Sequence, residues 1–145
     1  ATYFERDAPL YEEDVVEGFL RPPESLVYFE FEVSPRGTLF DARIESPDGE
    51  RATMRVDRSW DCANVLGALR SMTHGGGAPT FDVRLTIPFA GLGRGVPSPG
   101  EEWRANFFRI DHHPQHGDEF SAWQPTFRSP PDFHVAAAFG TLRFE

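Results

Sequence analysis

The chain has 145 residues, with 14 basic and 23 acidic side chains giving a formal charge of −9. That length suits one domain, burying roughly 70% of the surface its unfolded chain exposes. Every basic residue is arginine, and an acidic, lysine-free surface argues against nucleic acid, anionic membrane and polyanionic glycans as partners.

The lone cysteine, Cys62, excludes an internal disulfide and any multi-cysteine metal site. No run approaches the length of a membrane span, and the opening ATYFERDAP has no signal-peptide core. Fourteen phenylalanines, punctuated by 13 glycines and 13 prolines, point to short strands and turns.

In chain order, Leu10 to Leu20 comes first. From Asp14 the residues are strand formers, and alternation places Val15, Glu17 and Phe19 on one face, with Val16, Gly18 and Leu20 on the other. Glu17 thus shares a face with two apolar side chains. A carboxylate there must be paired, hydrogen-bonded or at the mouth of a polar site, and a strand-end Glu reaching solvent or an arginine is as good a reading as a ligand-binding one.

Arg21-Pro22-Pro23 breaks the strand, and Leu26 to Val33 then alternates as a half-buried antiparallel strand. Its inward side is Val27, Phe29, Phe31 and Val33; Tyr28, Glu30 and Glu32 face the other way. Pro35-Arg36-Gly37 turns the chain into Thr38 to Glu45, which completes a hairpin. After Pro47-Asp48-Gly49, Thr53 to Asp57 is a short strand, and Asn64 to Arg70 fits either a strand or a helical turn. Thr80 to Ile87 and Trp103 to Ile110 are further strands, Asp111 to Ser121 reads as a polar loop, and Phe139 to Phe144 closes the chain. Such spacing, with little helix, predicts an all-β fold: an antiparallel β-sandwich of jelly-roll or immunoglobulin-like type.

Most chemical motifs are weak. His74-Gly75-Gly76-Gly77 spells an oxyanion-hole motif, but no G-x-S-x-G follows, so it reads as a loop. The stretch from Asp111 to Glu119 gathers three histidines and three carboxylates, and a solvated loop is a better account of it than a transition-metal site. Calcium is the cation that the surplus carboxylates allow, although no EF-hand spacing is present. Glu12/Glu13 and Glu101/Glu102 are adjacent pairs that point to opposite sides of a strand, which is not the arrangement of an acid/base dyad. Catalysis therefore has no support here. Tyr11, Trp60 and Trp123 are aromatics in polar surroundings, as a sugar's apolar C–H face and hydroxyls require, and for each of them ordinary packing is an equal alternative. Trp103, at a strand start, reads as core.

The order of Asp14-Val15-Val16-Glu17-x-Phe19-Leu20, Ile87-Pro88-Phe89-x-x-Leu92, Pro99-Gly100-Glu101-x-Trp103-Arg104-x-Asn106-Phe107-x-Arg109, Ser121-x-Trp123 and Phe139-Gly140-x-Leu142-x-Phe144 resembles carbohydrate-binding module family 9-like domains. The match runs from Leu10 to Phe144. The resemblance implies a DOMON-related sandwich, attached to xylanases and similar enzymes, in which two aromatic rings clamp a terminal, often reducing-end, sugar. Carried over by position, the ring before the motif is similar to Tyr11, the motif's carboxylate to Glu17, and the tryptophan ahead of F-G-x-L to Trp123.

Asn106, Arg109, Gln124 and Trp60 are secondary ligand candidates. Two departures stand out: Tyr11 replaces a frequent tryptophan, and Glu32 occupies a place where a sugar-binding member has arginine. Only thirteen residues precede Asp14, whereas family domains usually begin with strands upstream, so an open sheet edge, dimerisation or excision from a longer protein is the corresponding expectation.

The expected function is a non-catalytic module recognising the end of a neutral plant-type glycan, beside catalytic domains of the same parent protein, in an extracellular or periplasmic setting. The alternatives are a haem-binding DOMON-type electron-transfer domain using Met54, Met72 or a histidine as axial ligand, a glycan-degrading catalytic domain, and a structural accessory domain with a decayed site.

Overall fold

The computed structural model describes the backbone of residues 1–72 and 80–145, and the side chains of 1–68 and 82–145. The strands are β1 (Val15–Arg21), β2 (Val27–Val33), β3 (Leu39–Glu45), β4 (Arg55–Asp57), β5 (Leu66–Met72), β6 (Thr80–Thr86), β7 (Glu102–His113), β8 (Gly117–Ala122) and β9 (Gly140–Arg143). Seven form an antiparallel sheet in the order β4-β3-β2-β1-β7-β8, with β9 also on β7; β5 and β6 form a separate hairpin. The fold is an all-β antiparallel sandwich. The HGGG stretch, residues 74–77, lies outside the described residues.

Each strand closes where its turn residues act. Gly37, at φ +80°, donates its amide to the Ser34 carbonyl at 2.8 Å, so the Pro-Arg-Gly turn joins β2 to β3. Of residues 64–70, ambiguous in the sequence, those from Leu66 onward belong to β5, pairing with β6 from Leu66↔Thr86.

Two readings are corrected. Asp111 to Ser121 is not a loop: β7 continues to His113, turns tightly and returns as β8, with Ile110 opposite Phe120 and His113 opposite Gly117. Polar side chains hid it, because an edge hairpin needs a backbone partner more than it needs apolar residues. β2 is not half-buried either, since six of its seven residues are buried. Both faces of the sheet are covered there.

On one face Phe29, Phe31, Trp103, Val65 and Leu92 form a core closed by the β5–β6 hairpin through Leu85 and by Trp60, Phe89 and Phe144. On the other, Phe19, Tyr28, Phe40, Ile44, Phe108 and Ile110 pack under Leu10, Phe133, Ala136 and Phe139. A buried side chain of this size stabilises by about 1.5–3 kcal/mol, so both layers hold the central strands. β1 is paired on both sides, with β2 and β7; the expected open edge does not lie at this strand.

Candidate functional site

Antiparallel register assembles the site. β1 against β2 sets Glu17 opposite Glu32 and Phe19 opposite Glu30, so the alternation that points Glu17 to one face points all three carboxyls to the same one. There they meet beneath the chain at residues 49–58 and the proline-rich stretch 128–135, which with Tyr11 and Phe120 enclose a cavity of about 860 Å3. That volume lies in the range of small-molecule pockets, roughly 300–1,000 Å3. Arg51 donates from Nη1 to Asp132 Oδ1 at 2.8 Å and ties the two walls together.

The floor is buried and acidic. Glu17, Glu30 and Glu32 are 3%, 5% and 0% exposed, and one oxygen from each lies within 4.8 Å of the others. Burial raises the pKa of all three above the usual carboxylate range. Glu17 is raised well above it by desolvation and then by the charge of Glu30. Glu30 is pushed up to about 7, with Arg58 and Arg51 pulling the other way. Glu32 reaches about 10 through desolvation, Glu17 and Glu30. Among the described residues neither Glu32 oxygen meets hydrogen-bond geometry, and the nearby Tyr11 amide works against the shift.

His134 closes one side, with Nδ1 at 2.7 Å from the Tyr28 hydroxyl and Nε2 at 3.8 Å from Glu30 Oε1. Desolvation, and secondarily the Arg51 charge, lowers its pKa to about 4. It is therefore neutral near pH 7, and so no countercharge for the glutamates. At the mouth, the 37%-exposed Tyr11 ring carries the Arg58 guanidinium 5.5 Å from its centroid.

Among the sequence candidates, Tyr11 and Glu17 share this cavity and the others do not line it. Trp60 is on the opposite side of the sheet, tilted against Phe29 at 4.9 Å. Trp123 packs on Phe107 at 5.7 Å. Phe107 in turn shares the face of Gly18, away from Glu17, so the Tyr11 and Trp123 rings do not flank one space. Asn106 is fully buried, its amide accepting from the Gln124 and Phe107 backbone amides and donating to the Gln124 carbonyl. Arg109 pairs with Asp111 and Glu119.

Sequence reasoning missed Glu30, Glu32, Arg58 and His134 as site residues. The signal for the glutamates was the E-x-E pair in an apolar strand, legible once β1 and β2 are paired. For His134 there was none beyond its place after a proline pair.

An antiparallel sandwich with a polar cavity sunk into one sheet face is the architecture of a ligand-binding module. The family described as Carbohydrate-binding family 9 matches residues 1–144, and the chain belongs to it. The family fits a non-catalytic sugar-binding role. The fold is similar to the crystal structure of a putative carbohydrate-binding protein from Bacteroides uniformis ATCC 8492, with a TM-score of 0.68 at 22% identity. That alignment covers 97% of this chain and 65% of the other, so this chain spans less than two thirds of its neighbour. Among curated proteins, none matches the sequence.

Proposed function

We propose that the domain binds the terminal sugar of a neutral glycan in the cavity over β1 and β2, with no catalysis of its own. One observation carries this reading: Tyr11 and Glu17, which by the sequence resemblance stand where the family has its ring and carboxylate, line the same cavity at its mouth and its floor. Carboxyls that hold protons near pH 7 both donate to and accept from hydroxyls. Phe120, 42% exposed on β8, offers a second apolar wall, which replaces Trp123 as the partner ring for Tyr11. Reducing-end recognition, attachment to polysaccharide-degrading enzymes and an extracellular or periplasmic setting belong to the same proposal.

Isothermal titration of glucose, cellobiose and xylobiose, with the corresponding alditols as controls, tests it. Micromolar to millimolar affinity is expected. Tyr11→Ala should weaken it by about 2- to 12-fold, the equivalent of 0.5–1.5 kcal/mol for a stacked ring. Trp123→Ala should leave it unchanged. Loss of binding with the alditols would establish reducing-end recognition. No heat with any sugar at millimolar concentrations overturns the reading.

A further inference from the structure

We propose that Glu17, Glu30 and Glu32 form a site for a divalent oxygen-seeking cation, calcium by size, at the floor of the cavity. A second acidic trio among the described residues differs from it. Asp7, Asp41 and Asp61 also bring three carboxylate oxygens together, but Arg6 sits among them, bonding both oxygens of Asp41 at 2.9 Å and Asp61 at 3.1 Å. That trio holds its own cation. Among the described residues, no arginine reaches ion-pair distance of the glutamate trio: Arg51 is engaged by Asp132 and Arg58 lies over Tyr11 and Phe40.

The second observation is Glu32 itself, with no exposed surface and, among the described residues, both oxygens unpartnered beside the other two carboxyls. A buried charge-capable group left this way is unfavourable unless something fills its coordination. Oxygens no more than 4.8 Å from one another come, with a few tenths of an ångström of closure, within reach of one ion whose ligand distances are about 2.3–2.6 Å, as for calcium. The smaller magnesium ion, at about 2.0–2.1 Å, demands a tighter octahedron.

Three carboxylates from two adjacent strands give a fixed half-shell on the floor. The cavity side is left open for water or other oxygen ligands.

Binding would displace the protons that burial keeps on these groups, so affinity rises with pH. The groups facing the trio across the cavity set the rest of the field: Arg51, Arg58 and Arg128 oppose a cation, Glu50 and Asp132 favour it, and His134 is neutral.

The test is titration of calcium chloride, without sugar, into chelator-treated protein in two buffers of different ionisation enthalpy, with thermal melts alongside. Expected are one saturable site with a dissociation constant of roughly 10⁻⁵–10⁻³ M, proton release read from the buffer difference, and a melting temperature that rises with calcium. Glu32→Gln, which keeps the side-chain shape, should weaken binding at least tenfold. Asp61→Asn, in the trio that Arg6 fills, should leave it unchanged. No saturable heat and no melting shift up to about 10 mM calcium, tenfold above the weakest affinity expected, overturns the proposal. So does binding that survives Glu32→Gln. Because sugar is absent, failure here leaves the sugar reading to its own experiment.

Discussion

Glu32 has no exposed surface, no hydrogen-bond partner on either oxygen among the described residues and two other carboxyls beside it, so ionising it would set an uncompensated charge among buried strands. Its folded-state pKa of about 10 lies above that of the unfolded chain, about 4.3. The folded protein therefore holds the proton more tightly, and this contribution to stability is complete below the unfolded value and lost as pH rises through the folded one. For Glu30 the loss ends near 7; for Glu32 it continues to about 10.

His134 acts in the opposite sense. Its pKa is lowered to about 4, so its contribution is present above about pH 6.5 and lost as pH falls. Between pH 7 and 9.5 only the carboxyls of this set act. With chelator present, thermal melts should show the melting temperature falling across that interval, and Glu32→Gln should flatten the fall. The variant should be the more stable at pH 9, by roughly 1–3 kcal/mol, at about 2–4 °C per kcal/mol. A flat wild-type profile would show that Glu32 is charge-paired in solution.

At the scale of elements, the sheet is tailored at β7, which pairs with β1 on one side and with both β9 and β8 on the other. β9 takes Glu102 to Ala105 and β8 takes Phe108 to His113, so the chain leaving β8 must be turned aside between them. Asn106 does this. Its side chain accepts from the Gln124 amide at 2.9 Å and donates to the Gln124 carbonyl at 2.8 Å, while Trp123 donates its backbone amide to the Phe107 carbonyl at 2.8 Å. Gly140 completes the fit: a Cβ there would stand 2.7 Å from the Trp123 ring.

Asn106→Ala would leave buried backbone groups of Gln124 unpaired and should destabilise the domain by about 2–4 kcal/mol, measured by denaturant unfolding. A change below about 0.5 kcal/mol, the range of ordinary surface substitutions, would show that another group holds this crossing. In the sequence Asn106 and Gln124 are secondary polar candidates for ligand binding. Their structural work is to bond each other, a pairing that alternation alone does not reveal because the partners come from different elements.

Across the whole molecule, protection should follow the two-layer plan. β1, β2 and β7 are paired on both sides, and the central residues of β1 and β2 are covered on both faces, whereas every residue of β4 is exposed and it has one partner strand. Hydrogen exchange should therefore be slowest at residues 16–20, 29–32 and 105–109 and fast over 55–57. Fast exchange in β1 would contradict its place at the sheet's centre.

The sequence by itself determined the strands whose apolar alternation is strong, the all-β class, the family resemblance and the conflict at Glu17, because side-chain period and turn chemistry are local properties. Tertiary structure alone decided that Glu30 and Glu32 turn inward beside Glu17, that His134 and Arg58 reach the same cavity, and that Trp60 and Trp123 lie away from it. The physical reason is register: alternation says which residues share a face, but only the pairing of β1 with β2 and the layers laid over them fix which faces meet and what fills the space between.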